Sequence, residues 1–338
     1  MASKEPLRIG ILGAAKIARL FIEGARASPR IDIRAVASRE LEKAQAFARE
    51  NSIAHAYGGY DALLADPAID AVYNPLSNNL HAQWSIRAAN SGKHVLCEKP
   101  LALSAKEAAA MFEAARRNNV YVVEGYPYRA QPQTQKLKEL LAGGAIGKLQ
   151  TVHAAFGFPL ADPNNIRLNP SLGGGSLMDA GSYPVSLVRM IGGERPLRVN
   201  AMAQWHASGI DRTLVGTIDF PSGLMATVSC SFATARHRHA LIIGDTGTIT
   251  TTYYNDTSPQ FPPLLQLSRG AGWDTRRETI ETAMSNGFLA EAEEFCDLVA
   301  HGWGKWHGAT PEESLDTMLM LDALAASARD GTPVDLPN

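Results

Sequence analysis

Cys97-Glu98-Lys99-Pro100 is the tetrad of this chain best suited to chemistry. It closes an apolar run, His94-Val95-Leu96-Cys97, that reads as a buried strand. A lysine held by a following proline at the carboxyl edge of a sheet can polarise a substrate hydroxyl or carbonyl, or shift a neighbour's pKa. The plainer reading is a surface lysine beside a turn proline, and the tripeptide alone does not separate the two. A second group lies between Leu172 and Pro184, where Gly173-Gly174-Gly175 precedes Asp179 and Tyr183. The glycines permit close backbone approach just before a helix. Asp179 and Tyr183 are four apart, so on one helix they share a face. A tyrosine beside a cation is a candidate acid/base for an alcohol or carbonyl. Taken alone, a tyrosine near a helix start is more often packing than catalysis.

A third group could hold a dinucleotide. Read from Gly13, the segment Gly13-Ala14-Ala15-Lys16-Ile17-Ala18 is G-x-A-x-x-A, an alanine-substituted form of the dinucleotide fingerprint. Small residues let the backbone approach a pyrophosphate, whose charge sits at the following helix N-terminus. An acid about 20 residues on would accept from the ribose hydroxyls of NAD. Here the second strand runs instead into Ala37-Ser38-Arg39, with Lys43 one helical turn beyond. A hydroxyl, a guanidinium and an ammonium suit a 2′-phosphate, which predicts NADP. The plain alternative is a solvated helix start.

The elements that must position these groups alternate over residues 7–125. Strands are expected at Leu7–Leu12, Ile33–Ala37, Ala71–Pro75, His94–Cys97 and Val120–Val123. Helices are expected at Lys16–Ala27, Glu40–Asn51, Tyr60–Ala65, His81–Ser91 and Ala105–Asn118. This spacing predicts an α/β domain with a doubly wound, mainly parallel sheet over residues 1–126. Beyond it, strand-like stretches follow one another at Leu149–Phe158, Val199–His206, Leu214–Phe220, Met225–Phe232 and Ala240–Ile243. Helices at Phe288–His301 and Pro311–Arg329 come last. Residues 127–338 are thus expected to form an α+β domain with an open, mostly antiparallel sheet. The run from Asp256 to Gly272 reads as a loop with at most one edge strand.

Composition narrows the function. The chain has 338 residues, 45% hydrophobic and 20% charged, with net charge −2, so it offers no general attraction for nucleic acid or anionic membrane. Cys97, Cys230 and Cys296 form no paired framework, and Met1 to Pro6 leads into a strand without a signal-type apolar segment. Both point to the cytoplasm.

Taken together, the fingerprint turn, Glu98-Lys99-Pro100, and Gly173-Gly174-Gly175 with Asp179 and Tyr183 resemble the Gfo/Idh/MocA oxidoreductase family over essentially the whole chain. The chain looks most like the branch of dimeric dihydrodiol dehydrogenases, NADP-dependent xylose dehydrogenases and glucose-fructose or aldose-aldose oxidoreductases. Asp162 to Arg167 carries the same likeness. The resemblance implies a Rossmann domain for NADP, with Lys99 holding the reacting oxygen, Tyr183 as acid/base and Asp179 as a polar contact. It implies cofactor contacts at Tyr60, Leu76, Asn78, His81, Glu98, Arg129 and Arg167, besides those already named. One departure stands out. Relatives often show Tyr-Arg-Phe-His-Pro, and this chain has Tyr128-Arg129-Ala130-Gln131-Pro132, which predicts a differently shaped substrate pocket.

Phe156 and Phe158 alternate on a strand, as a pocket wall or as sheet-packing core. His237-Arg238-His239 lacks a supporting ligand pattern, so no catalytic metal is expected. The expected activity is NADP-dependent oxidation of aldoses to aldonolactones or reduction of sugars to alditols, including aldose–aldose exchange on retained NADP. The alternatives are a trans-dihydrodiol or sugar-ketone dehydrogenase and, in another class, a non-catalytic NADP sensor. A homodimer through the C-terminal sheet is expected.

Overall fold

In the computed structural model, residues 5–272 and 274–337 are described. Of the amino-terminal segment read above, Met1 to Lys4 lie outside them. The chain divides into two units, Met1–Ala130 with Asn286–Pro311, and Gln131–Ser285 with Glu312–Asn338.

The first unit carries β1 (Leu7–Leu12), β2 (Ile31–Ser38), β3 (His55–Gly58), β4 (Ala71–Asn74), β5 (His94–Glu98) and β6 (Val122–Gly125). Between them run α1 (Lys16–Ala25), α2 (Leu41–Glu50), α3 (Tyr60–Leu64), α4 (Asn78–Asn90) and α5 (Ala105–Arg117). The strands pair in the order β3-β2-β1-β4-β5-β6, every pairing parallel. This is the expected doubly wound sheet, with the strand order reversing between β1 and β4, where such sheets bind ligands. Its core joins Ile9, Ile11, Phe21, Val36 and Tyr73, and the Phe21 and Tyr73 rings stack 3.9 Å apart.

The second unit opens with α6 (Pro132–Ala142) and β7 (Leu149–Gly157). After α7 (Ser182–Gly192) come β8 (Arg198–Trp205), β9 (Asp211–Asp219), β10 (Met225–Ser231) and β11 (His237–Gly244). β12 (Gly247–Thr252), β13 (Leu265–Arg269) and β14 (Arg276–Thr279) follow. α8 (Gly287–His301), α9 (Pro311–Asp330) and β15 (Val334–Asp335) complete the chain. The nine-stranded sheet runs β14-β13-β12-β11-β7-β10-β9-β8-β15 and is antiparallel except where β7 meets β10. Period-two burial along β9 and β10 puts Leu214, Ile218, Ala226 and Val228 on the covered face.

Two expectations differ from this architecture. The cut after residue 126 separates α8 from the first unit, yet α8 returns there because Phe288, Ala292, Phe295 and Leu298 complete the core of Ile9 and Phe21. The run 256–272, read as a loop with at most an edge strand, contains β13, which lies between β12 and β14 and buries Leu265 and Leu267.

Candidate active site

In the first unit, β1 ends at a turn where Gly13 takes φ +101°, a conformation costly for any other residue. Its N–H donates to Ala37 O at 2.8 Å. A Cβ there would sit 2.8 Å from Leu76 Cδ2 and 4.0 Å from the Tyr60 hydroxyl, so Gly13, Leu76 and Tyr60 converge on one concave turn. Ala14 and Lys16 are exposed and Ala15 and Ile17 half-buried. Ala15, the N-cap of α1, provides no side-chain cap, which leaves the first amides of the helix to suit an anion. Ser38 ends β2 buried, and its carbonyl accepts from Gly59 N at 2.7 Å. Arg39 is exposed, close enough to Tyr60 for its charge to offset in part the burial that raises that phenol's pKa. Lys43 is held by Glu40 at 2.9 Å. The glycine cradle, the uncapped helix and the absence of an acid at Ser38 and Arg39 fit a phosphorylated dinucleotide.

The turn after β4 is tied down by a residue that sequence reasoning passed over. Asn74 donates to Ser85 Oγ at 3.0 Å and to His81 O at 3.2 Å, while its Oδ1 accepts from Leu76 N at 3.3 Å. The Asn74-Pro75 pair at the end of an otherwise apolar strand was the available signal. Asn78 begins α4. His81, 1% exposed, has Nδ1 2.8 Å from Pro100 O and Nε2 2.9 Å from Leu76 O. Burial lowers its pKa to about 4. The neutral ring therefore donates to one of these carbonyls at a time. It spans the Leu76 turn and the Lys99-Pro100 step, whose peptide bond is cis.

Glu98 is buried at the end of β5 and accepts from the Tyr73 hydroxyl at 2.5 Å; Lys99 beside it is half-buried. Beside Glu98 lies Glu291 of α8, whose carboxyl is pushed well above the usual range by burial and then by the charges of Glu98, Glu294 and Glu124. Arg129, expected at the cofactor, is enclosed at 2% exposure in the short turn Pro127–Ala130.

In the second unit, Gly175 N and Gly174 N donate to Arg167 O and Asn169 O, both at 3.0 Å, folding the Arg167 turn onto the glycines. Gly175 has φ +118°, and a Cβ on it would lie 2.3 Å from Asp211 Oδ1. Asp211 takes that place, accepting from Ser176 Oγ and Leu177 N, each at 2.6 Å. The segment Leu177–Gly181 is a turn of π-helix rather than the α-helix expected to carry both Asp179 and Tyr183; α7 starts only at Ser182. Such widened turns recur at functional sites.

Asp179 and Tyr183 still come together, through Arg167. Its Nε donates to Asp179 Oδ2 at 2.6 Å, and its guanidinium lies close enough to Tyr183 to respond to charge on that residue when the phenol is ionised. The Tyr183 hydroxyl accepts from Asn255 Nδ2 at 2.8 Å. Arg238 lies with its guanidinium carbon 3.9 Å from the Tyr183 ring centre. Phe156 meets Tyr183 edge-on at 5.5 Å, and Phe158 lies on the same side of the strand, tilted 5.6 Å from Phe156 and 5.3 Å from Phe232. Gln131, the departure noted above, donates to Asn255 O at 2.9 Å and Ser285 O at 3.0 Å. His237 and His239 flank Arg238 with rings 5.8 Å apart. Among the described residues no cluster of His, Cys, Asp or Glu could hold a metal, and no helix is long and apolar enough to cross a membrane. The three cysteines are free, buried thiols.

Comparison with known proteins follows the same two parts. A family model described as "Oxidoreductase family, NAD-binding Rossmann fold" matches residues 7–126, and one described as "GFO/IDH/MocA C-terminal domain" matches residues 134–250. A D-xylose 1-dehydrogenase (NADP(+)) of Haloferax volcanii is 36% identical over 338 residues, covering 98% of this chain and 100% of the other. A trans-1,2-dihydrobenzene-1,2-diol dehydrogenase of Danio rerio is 37% identical over 278 residues, 78% of this chain and 83% of its own. Among solved structures, an aldose-aldose oxidoreductase from Caulobacter crescentus complexed with glycerol superimposes with a TM-score of 0.88 at 26% identity. That match covers 98% of this chain and 100% of the other.

Proposed function

The chain belongs to the Gfo/Idh/MocA family of oxidoreductases, and from that premise we propose that it oxidises aldoses at C1 to aldonolactones and, in reverse, reduces sugars to alditols. It is an NADP-dependent oxidoreductase of CH–OH groups. The observation that carries the sugar reading is the setting of Tyr183, a phenol held by an amide donor and a guanidinium. Likeness to the xylose dehydrogenase over its full length supports it.

Gly13, Ala14, Ala15, Lys16 and Ile17 hold the pyrophosphate at the α1 N-terminus. Ser38 and Arg39 take the 2′-phosphate, joined by Lys43 when it exchanges Glu40 for it. Tyr60, Leu76, Asn78, His81, Glu98, Arg129 and Arg167 serve the remainder of the nucleotide. When bound, NADP supplies a hydride acceptor. Tyr183 takes the proton of the hydroxyl being oxidised, Lys99 steadies the developing oxyanion, and Asp179 orients Arg167.

A trans-dihydrodiol is the second reading, favoured by Phe156 against Tyr183 with Phe158 next to it, an aromatic run that suits a flat ring. A sensor has no use for an intact Lys99 and Tyr183. We assign the open face of the nine-stranded sheet to a two-fold homodimer. Met202, Val215, Met225 and Ile243 share that face by register, and Met202 is 74% exposed.

The test supplies purified protein with NADP and, in parallel, D-xylose, D-glucose or a trans-dihydrodiol, following NADPH. Reduction with an aldose and formation of aldonic acid support the reading. Turnover of the diol alone replaces it with the second. A parallel incubation of desalted protein with aldose and no added nucleotide tests exchange on retained NADP. Equal aldonic acid and alditol, far above the protein concentration, support retention; no product until NADP is added overturns it.

A further inference from the structure

We propose that Arg238 and Asn255 are positioning residues that hold Tyr183 for proton transfer and stabilise the phenolate left when its proton moves. The inference rests on Tyr183 being the acid/base of the proposed function. Three observations within the second unit carry it.

The first is hydrogen-bond polarity. Arg238 Nη2 donates to Asn255 Oδ1 at 3.1 Å. A guanidinium has only donors, so the amide oxygen must face Arg238 and the amide nitrogen must face Tyr183. The 2.8 Å contact between Asn255 Nδ2 and the phenol oxygen is therefore a bond that Tyr183 accepts. Asn255 does not compete for the phenol proton, and its N–H bond strengthens as negative charge develops on that oxygen.

The second is the guanidinium itself. It lies 3.9 Å from the Tyr183 ring centre, 4.8 Å from that of Tyr253 and 5.0 Å from that of Phe156. Arg238 is 6% exposed and Tyr183 5%, so its field acts with little solvent screening. A fixed cation over the ring and a fixed donor at the oxygen are preorganised for charge that exists only once the proton has left.

The third is what fixes Asn255. Gln131 Nε2 donates to its backbone carbonyl at 2.9 Å while Arg238 holds its amide oxygen, so main chain and side chain are both restrained.

In the reductive direction NADPH, when bound, would supply the hydride for the carbonyl carbon, and the carbonyl oxygen takes the Tyr183 proton. The phenolate that remains is reloaded from solvent. Oxidation is the reverse, so both directions pass through the charge that Arg238 and Asn255 stabilise.

The experiment compares Arg238→Met, Arg238→Lys, Asn255→Ala and Asn255→Asp with the native enzyme and Tyr183→Phe. NADP affinity by fluorescence titration serves as a folding control. We expect Arg238→Met and Asn255→Ala each to lower kcat about ten- to a hundred-fold with KM little changed, the loss of one charge-assisted interaction made in the transition state. The solvent deuterium isotope effect on kcat should rise in both, because the proton step is the one slowed. Arg238→Lys should recover part of the loss, and Asn255→Asp should be slower than Asn255→Ala because a carboxylate faces the forming phenolate. A packing role would leave the isotope effect unmoved and treat Lys and Met alike. Native kcat and isotope effect in Asn255→Ala, with Tyr183→Phe inactive, overturn this inference alone. Native turnover in Tyr183→Phe overturns the proposed function and this inference with it.

Discussion

Tyr183 and Lys99 are asked to move a proton and hold an oxyanion, so their loss should fall on kcat. Tyr183→Phe and Lys99→Ala are each expected to lower kcat by about 10²–10⁴. Both should keep NADP affinity, since the phosphate contacts are assigned to Gly13–Ile17, Ser38 and Arg39; steady-state kinetics with a binding titration checks this. Arg39→Ala should weaken NADP by about 1.5–3 kcal/mol, a factor of about ten to a hundred and fifty, and leave NAD almost unchanged. Equal losses for both nucleotides would remove Arg39 from the 2′-phosphate. Two buried groups give opposite pH slopes. His81, at about 4 against an ordinary 6.5, stays neutral in the native protein while the unfolded chain takes up a proton. Stability therefore falls as pH drops through that window, by about 3 kcal/mol in all. Glu291 keeps its proton above the pH at which the unfolded chain loses one, so its contribution is lost as pH rises. Glu291→Gln should abolish the loss that sets in as pH rises above the ordinary carboxylate range while leaving the His81 loss in place, read from urea midpoints across a pH series. At this scale the sequence was legible where chemistry sits in a contiguous motif, as at Gly13, Lys99 and Tyr183. Asn255 and Arg238 escaped it because they contact Tyr183 from strands and turns more than fifty residues away. Arg238 drew notice only for its flanking histidines.

At the scale of elements, α7 and α9 are stapled by Asp316, whose carboxylate accepts from Arg189 Nε at 2.9 Å and Arg195 Nε at 2.8 Å. Asp316 and Arg189 are both buried, so removing the carboxylate strands a guanidinium without water. Asp316→Ala is expected to cost about 3–5 kcal/mol, seen as a lower urea midpoint; a loss under 1 kcal/mol would mean that water replaces the carboxylate. Elements with strong apolar periodicity, β1, β2, α1, α5 and α8, matched their sequence pattern to within a few residues. β3, β12 and β14 were missed because His55–Gly58, Gly247–Thr252 and Arg276–Thr279 carry little apolar alternation. Their strand state comes from pairing with β2, β11 and β13. α6 went unread for a related reason: its buried face is Gln133, Thr134 and Leu137, with Gln133 Nε2 bonded to Thr251 Oγ1 at 2.8 Å. The π-turn at Leu177–Gly181 could not be read from the spacing of Asp179 and Tyr183, since Asp211, distant in sequence, shapes it.

For the molecule as a whole, the parallel sheet followed by the mixed one was visible in the change from alternating helices and strands to successive strands. The return of α8 was not, because its apolar face meets Ile9 and Phe21, which lie more than 250 residues earlier. The dimer assigned to the open sheet face predicts a sedimentation mass of two chains at micromolar concentration. Val215→Lys with Met202→Lys should give monomers, and a monomeric native protein would remove the assignment. The central claim, an NADP-dependent sugar oxidoreductase working through Tyr183, is tested most directly by one comparison. Native protein and Tyr183→Phe are incubated with NADP and D-xylose or D-glucose, and NADPH and aldonic acid are measured together. The account predicts equimolar NADPH and aldonic acid from the native protein and at least about a hundred-fold less from the variant. Equal product from both, or no aldonic acid from either sugar, would contradict it.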